Sequence, residues 1–371
     1  MIYNLSQNLV DRNINVTCVF SGSIDENTQK NYKLDNIDII KTNVLLSFRN
    51  KSLFLRFLFE ITTAITLAIK CFFYLNKRKD LDLIIWYGPS VFLWMVVKSI
   101  NCFKKIPVYY ILRDIFPDWL ISLKIVKNPY IIWLLKKITD PQYNVSDVIG
   151  VEVYGNISYL SRKKIKTNKI ELLPNWPNIT VSNNSKIDPK VKYDFSNSIV
   201  NAKEKNKITC VYIGNSSVSH DYKSLIEFFN NNQKLLKFQI NIFSKSTELS
   251  TITNQSIEQK SWGLVEEYNL PFIFSKVECG LVTLNRYQKT HNIPGKFISY
   301  TQFGLPIICF ASIKSPLARL IDKYQCGIVV DLSIGTEQNI KLFSLFLLNF
   351  DKNKYYLSKN SLKLFKENFD T

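Results

Sequence analysis

Residues 291–312 read HNIPGKFISYTQFGLPIICFAS, and this stretch limits the possible folds of the chain more than any other. Pro294 suits the first turn of a helix and Gly295 lets the backbone approach a bound group, so residues 292–296 predict a tight turn opening a helix. Such a turn is a place to hold an anion, and Lys296 adds a point charge to it. Residues 297–303 leave room for about two helical turns. Gly304 supplies a left-handed residue that stops the helix, and residues 305–310 are a continuous apolar run of the buried-strand type.

Similar runs recur along the chain. Strands are predicted over 15–20, 36–40, 82–86, 107–112, 148–153 and 170–173, and again over 208–213, 238–243, 279–284, 305–310 and 327–331. Helices fall between them, among them 91–100 capped by Ser90, 220–229 and a final one over 357–369, while residues 1–10 read as the end of a helix. This alternation predicts an α/β protein with parallel, doubly wound sheets. Residues 178–206 break the pattern: they are rich in Asn, Ser, Lys and Asp with little periodicity, as an interdomain connection would be. With 371 residues, two domains are expected.

The formal charge of +18 comes mostly from Lys, in a chain also rich in Asn. Coding bias and a solvated surface account for it in one reading; in the other it is a field that attracts anionic lipid headgroups, diphosphates or nucleic acid. Nucleic acid is disfavoured, because zinc-finger spacing, an RNA-binding aromatic signature and a basic heptad region are all missing. The 7 cysteines are scattered and mostly inside apolar runs, which predicts buried thiols of a reducing compartment. With only His220 and His291, and no C-x-x-C, neither a metal site nor a His-based triad is expected. Residues 1–11 lack the apolar stretch of a cleavable signal.

Residues 53–75 have the highest apolar density, interrupted by Arg56, Glu60 and Lys70, and their longest charge-free run, 61–69, is short for a bilayer span of about 20 residues. Two readings remain, a helix packed on a sheet or a surface helix dipping into a membrane with Lys77, Arg78 and Lys79 at the headgroups.

In open α/β sheets ligands lie beyond the carboxyl ends of strands, so the residues delivered there are site candidates. Strand 107–112 delivers Arg113 and Asp114 in a loop that runs to Trp119, 148–153 leads to Glu152, and 170–173 leads to Asn175. An Arg–Asp pair bracing the loop is the alternative for the first of these. Strand 208–213 ends in Gly214 and Asn215 before a helix start, a second turn suited to a phosphate. Two anion-ready turns on one sheet edge suggest a diphosphate. G-x-x-x-x-G-K-[ST] and G-x-G-x-x-G are both absent, so a nucleotide-sugar donor fits better than nucleotide hydrolysis or dinucleotide redox chemistry.

Five motifs carry a resemblance: LRDIFPDW at 112–119, DVIGVE at 147–152, LLPNW at 172–176, YIGN at 212–215 and NIPGKFISYTQFGLPII at 292–308. In this order, over nearly the full chain, they resemble glycosyltransferase family 4 of the GT-B type, in particular the bacterial O-antigen and capsule enzymes that include L-fucosamine transferases. The resemblance implies two Rossmann-like doubly wound domains facing across a cleft: 1–178 on the acceptor side, a linker over 179–206, 207–352 for the nucleotide sugar, and a helix over 353–371 packing toward the first domain. It also implies that relatives begin with a strand and glycine-rich loop ahead of the helix found here at Met1.

The implied activity is a retaining hexosyl or N-acetylhexosaminyl transfer from a nucleotide-diphosphate sugar to a polyprenyl-diphosphate-linked glycan, with no cofactor and no required metal. Its implied location is the cytoplasmic face of the bacterial inner membrane, where the basic balance would hold a peripheral enzyme to an anionic surface. On the donor side the resemblance implies Gly214, Asn215, Ser216, His220, Asn292, Ile293, Pro294, Gly295, Lys296, Ser299 and Tyr300. Across the cleft it implies Arg113, Asp114, Trp119 and Asn175 at the acceptor, with Arg113, Asp114, Glu152 and Lys296 in catalysis. Many family members have two glutamates with seven residues between them where this chain has His291 and Ser299, and a firmly basic residue where it has His220. A catalytically impaired relative that binds a glycan lipid or a partner is therefore the second expectation, and a nucleotide-sugar epimerase of GT-B shape the third.

Overall fold

The computed structural model describes residues 2–23, 31–44, 53–75, 77–88, 91–102, 104–176, 189–214, 221–230, 238–245, 257–287, 293–333 and 336–370. The chain divides into two compact units, Met1–Leu173 and Pro174–Thr371.

Unit 1 begins with α1 (Ile2–Val10), β1 (Thr17–Ser23), β2 (Asn31–Leu34), β3 (Ile37–Val44) and α2 (Leu53–Leu75). It continues through β4 (Ile84–Tyr87), α3 (Trp94–Ile100), β5 (Val108–Leu112), α4 (Asp118–Ser122) and α5 (Pro129–Thr139). α6 (Pro141–Asn144), β6 (Val148–Val151), α7 (Tyr154–Arg162) and β7 (Ile170–Leu172) complete it. The strands form a three-stranded group in the order β1-β3-β2 and a four-stranded group in the order β4-β5-β6-β7. The second group is parallel throughout, and Val108, Tyr110, Ile111 and Leu112 of β5 are buried, which is why that segment reads as a continuous apolar run. β2 was not expected. It pairs antiparallel to β3 through a two-residue turn, Asp35 and Asn36, both at positive φ as a tight hairpin requires.

Helix α2 buries Ala64, Leu67, Cys71 and Leu75, spaced to lie on one face, and the last three pack with Ile40, Val96, Ile100 and Ile106. Length and a mean hydropathy of 1.6 over Phe57–Leu75 would by themselves allow a membrane crossing, yet the buried stripe belongs to this unit's own core. Its other side exposes Leu58, Ile65, Ile69 and Phe73.

Unit 2 contains α8 (Pro189–Glu204), β8 (Ile208–Ile213), α9 (Tyr222–Asn230), β9 (Phe238–Phe243), β10 (Ile257–Ser261) and α10 (Leu270–Lys276). Then come β11 (Cys279–Thr283), α11 (Gly295–Gln302), β12 (Ile307–Phe310), α12 (Pro316–Tyr324), β13 (Gly327–Val330), α13 (Thr336–Leu348) and α14 (Phe350–Asn368). Its six strands form one parallel sheet in the order β10-β9-β8-β11-β12-β13. Phe228, Phe229, Phe238, Phe310 and Phe343 interlock on one face of that sheet.

The linker expected over 179–206 needs correction here, and two further observations bear on the other expectations. Residues 189–204 form a helix of unit 2, because Phe195, Ile199 and Ala202 make a buried stripe among the Asn and Lys, and the Phe195 ring meets Phe243, Trp262 and Phe272. The last helix starts at Phe350 and lies on α11 and α12 within unit 2, where Ser361 Oγ donates to the Leu305 carbonyl at 2.7 Å. Cys210 and Cys279 are fully buried opposite one another on β8 and β11, with Cα atoms 4.8 Å apart. Cys18, Cys71, Cys102, Cys309 and Cys326 are free thiols.

Candidate functional site

In unit 2 the site is assembled by the fit of α11 against β8. Tyr300 is fully buried on α11, and its hydroxyl accepts the backbone N–H of Ile213 at 3.0 Å. The ring can reach β8 because residue 280, on the strand between, is glycine. A Cβ there would lie 2.3 Å from the Tyr300 ring. One helical turn before Tyr300, Lys296 leaves the same face of α11. Its Nζ lies 3.9 Å from the centroid of the Tyr212 ring, in cation–π geometry. Gly214 closes the space: its φ is +115°, and a Cβ at this position would sit 3.4 Å from Lys296 Nζ.

Although part of the Lys296 side chain reaches the surface, its ammonium nitrogen is buried and has no hydrogen-bond partner among the described residues. Burial pulls its pKa down to about 7. An amine buried without a counter-charge among the described residues, over an aromatic face and beside a positive-φ glycine, is suited to an anionic ligand. The first turn of α11 adds to it, since Pro294 at the N-cap makes no side-chain cap and leaves N–H groups at the positive end of the helix. Ile293 is buried beneath this turn, with Pro294 and Gly295 at its surface. Ser299 turns its hydroxyl back on its own helix, donating to the Gly295 carbonyl at 3.2 Å. Asn215, Ser216, His220 and Asn292 lie outside the described residues.

A second cation was not foreseen. Arg286, just past β11, lines a small cleft with Asp221, Leu284, Phe310, Ala311 and Leu332, and its guanidinium donates to the Leu332 carbonyl at 3.4 Å and to Ser224 Oγ at 3.3 Å. Its place one loop beyond a buried strand was the only signal in the sequence. Tyr212 was likewise visible only as part of the YIGN motif.

In unit 1 the carboxyl ends of neighbouring strands bring Arg113 and Glu152 together. Arg113 follows β5 and Glu152 follows β6; they are 8% and 5% exposed, and their charges interact within the protein. Arg113 Nη1 donates to the Leu173 carbonyl beyond β7 at 3.0 Å, and the guanidinium interacts electrostatically with Tyr87 at the end of β4. Burial draws the Arg113 pKa below its ordinary value, with Glu152 and Tyr87 acting against that fall. One arginine therefore ties together the tips of four strands. Asp114 is half-buried beside it, and Trp119 on α4 packs its ring edge-on to Phe116. Asn175 belongs to unit 2, and its buried Oδ1 has no partner among the described residues. No group of three or more His, Cys, Asp or Glu among the described residues could hold a metal ion.

No known family profile and no curated protein matches the sequence. Solved structures do match the fold. The chain is similar to WaaG, a glycosyltransferase involved in lipopolysaccharide biosynthesis, with a TM-score of 0.63 at 11% identity over 98% of this chain and 90% of that one. It is similar to the Anabaena protein HepE in complex with UDP-glucose, with a TM-score of 0.60 at 10% identity over 91% of this chain and 83% of that one. For a UDP-forming α,α-trehalose-phosphate synthase from Burkholderia vietnamiensis the TM-score is 0.65 at 11% identity, over 97% and 92% of the two chains. The fold is accordingly GT-B, built of two Rossmann-like domains.

Proposed function

We propose that this protein is a family 4-type glycosyltransferase that moves a hexosyl or N-acetylhexosaminyl group from a nucleotide-diphosphate sugar to a lipid-linked oligosaccharide, with retention, in the synthesis of an O-antigen or capsular polysaccharide. One observation carries the reading: the buried ammonium of Lys296, without a hydrogen-bond partner among the described residues, over Tyr212 and against Gly214, at the start of α11. On this reading the donor diphosphate is the missing counter-ion, with the first-turn N–H groups of α11 on its other oxygens. HepE, of like fold, is described in complex with UDP-glucose, and WaaG as acting in lipopolysaccharide biosynthesis, which is the class of donor and product proposed here.

The protein's task is then electrostatic. As the bond from the sugar C1 to the phosphate oxygen breaks, negative charge grows on the leaving diphosphate beside Lys296, and a preorganised cation stabilises it most at that moment. The acceptor oxygen bonds to C1 on the same face and its proton passes to the departing phosphate. No protein general base is required, and Lys296 supplies the positive charge that a metal would otherwise bring. Arg113, held rigid by Leu173, Tyr87 and Glu152, orients the acceptor side, a positioning role for which its burial suits it. The acceptor is a polyprenyl-diphosphate-linked glycan, and the enzyme works at the anionic inner face of the bacterial membrane, consistent with its charge of +18.

The test is transfer of labelled sugar from a panel of nucleotide sugars into a lipid-extractable glycan. Lys296→Ala should abolish transfer that the wild type performs, and full activity in that variant would refute the assignment. Ser299 favours a second reading. Its hydroxyl is engaged with Gly295 at the place where relatives hold the ribose with a carboxylate, which suits a catalytically impaired relative that binds a glycan lipid or partner. Failure to bind any nucleoside diphosphate would favour that alternative.

A further inference from the structure

Helix α5 of unit 1 has no task in the reaction above, yet among the described residues it carries two of that unit's most exposed aromatic rings, Tyr130 and Trp133. It buries Leu135 and Thr139 and half-buries Ile132 and Ile138. Its other side shows Tyr130 at 82%, Ile131 at 49%, Trp133 at 61% and Leu134 at 49% exposure. Single exposed apolar residues are ordinary, whereas four large ones on one side of a short helix mark a contact surface. The helix is firmly seated: Asn128 caps it by accepting from Tyr130 and Ile131, and the Trp94 indole donates to the Ile138 carbonyl at 3.2 Å. Ile138 packs with Phe57 and Ile61 of α2 around Phe92, so α5 and the helix with the exposed Leu58, Ile65, Ile69 and Phe73 share one cluster.

Charge decides what covers this face. Residues 119–139 contain Lys124, Lys127, Lys136 and Lys137 and no Asp or Glu. Lys137 Nζ lies 5.7 Å from the centroid of the Trp133 ring, so cation and exposed indole share a side of the helix. Protein interfaces deplete Lys at their centres. A bilayer surface favours the combination present here, aromatic rings at headgroup depth with ammonium groups on lipid phosphates.

We propose that α5 is the membrane-docking helix of unit 1. It lies in the plane of an anionic leaflet with Tyr130, Ile131, Trp133 and Leu134 inserted at the headgroup boundary, and Lys127, Lys136 and Lys137 on the phosphates; the exposed stripe of α2 extends the contact. This deepens the reading of a lipid-linked acceptor and rests on it only for its purpose. Vesicles without glycan or donor therefore test the docking separately from the transferase activity.

The full chain is to be sedimented with phosphatidylcholine vesicles with and without phosphatidylglycerol. Wild type should partition onto the anionic vesicles only, and both Tyr130→Ala/Trp133→Ala and Lys136→Glu/Lys137→Glu should lower that partition by about tenfold or more. Nucleotide binding should persist in both variants, which also shows that they are folded. The tryptophan emission of the wild type should shift to the blue on vesicle binding, and Trp133→Phe should remove most of that shift. Three outcomes would overturn the proposal: a wild type that ignores anionic vesicles, variants that bind as the wild type does, or a dimer in light scattering that Tyr130→Ala/Trp133→Ala dissociates, which would give the face to a second copy.

Discussion

Replacing Lys296 by methionine should stabilise the protein. An unperturbed lysine titrates at 10.5, and burial brings Lys296 to about 7. At roughly 1.4 kcal/mol for each tenfold change in proton affinity, holding this amine inside the fold near neutral pH costs about 4 kcal/mol. The face of Tyr212, 3.9 Å away, returns roughly 2 kcal/mol of that. Methionine keeps the length of the side chain without the charge. Lys296→Met should therefore gain about 2 kcal/mol, a rise of about 4–8 °C in the midpoint of a unit of this size. The pH dependence follows from the direction of the shift. The cost is complete below pH 7, where folded and unfolded lysine both hold the proton, and it vanishes as the pH rises to 10.5, where both release it. Calorimetric unfolding of both proteins at about pH 6.5 and about pH 9.5 should show a gap that narrows at the higher pH. A methionine variant no more stable than the wild type, or a gap independent of pH, would show that the amine is solvated or paired and would remove the reason to place an anion beside it.

The other predictions concern the frame around that amine. Nucleoside diphosphate binding above pH 7 should take up a proton, because the ligand restores the charge on Lys296; calorimetry in buffers of different ionisation heat should show up to one proton per site at about pH 8 and almost none at about pH 6. Gly280→Ala should cost about 3 kcal/mol in chemical denaturation, since its Cβ would stand 2.3 Å from a fully buried ring. Tyr300→Phe removes the acceptor of the Ile213 N–H and should cost about 1 kcal/mol while weakening nucleotide binding through the adjacent Gly214 turn. In unit 1, Glu152→Gln leaves the Arg113 guanidinium buried without its counter-charge and should cost about 3 kcal/mol, measurable as a lower denaturation midpoint.

The parallel sheets were legible because their strands are buried on both faces: 208–213 and 238–243 are found at the bounds that their apolar runs predict. β10 was not, because its sequence IEQKS at the sheet edge is half-exposed and polar, with no run to detect. The hairpin of β2 and β3 was hidden in the same way, its turn being Asp-Asn instead of a glycine pair. In α8 three apolar side chains suffice to bury one stripe, and abundant Asn and Lys mask them in the sequence. At the candidate site, Gly214 and Lys296 stood out as parts of helix-opening turns. Tyr212 did not, since its alternation along β8 reads as ordinary core; its role beneath the ammonium depends on the crossover that carries α11 back over the strand. The four-strand tie made by Arg113 was equally out of reach, because it joins residues from Tyr87 to Leu173 that only the sheet order brings together.

The central claim is that Lys296 awaits a nucleoside diphosphate. Equilibrium binding of UDP, GDP and ADP to the wild type and to Lys296→Ala tests it most directly. One of the three should bind the wild type, with affinity lowered about tenfold or more in the variant, as loss of a buried charge-assisted contact requires. A wild type that binds none of them, or a variant that binds as tightly, would contradict the account.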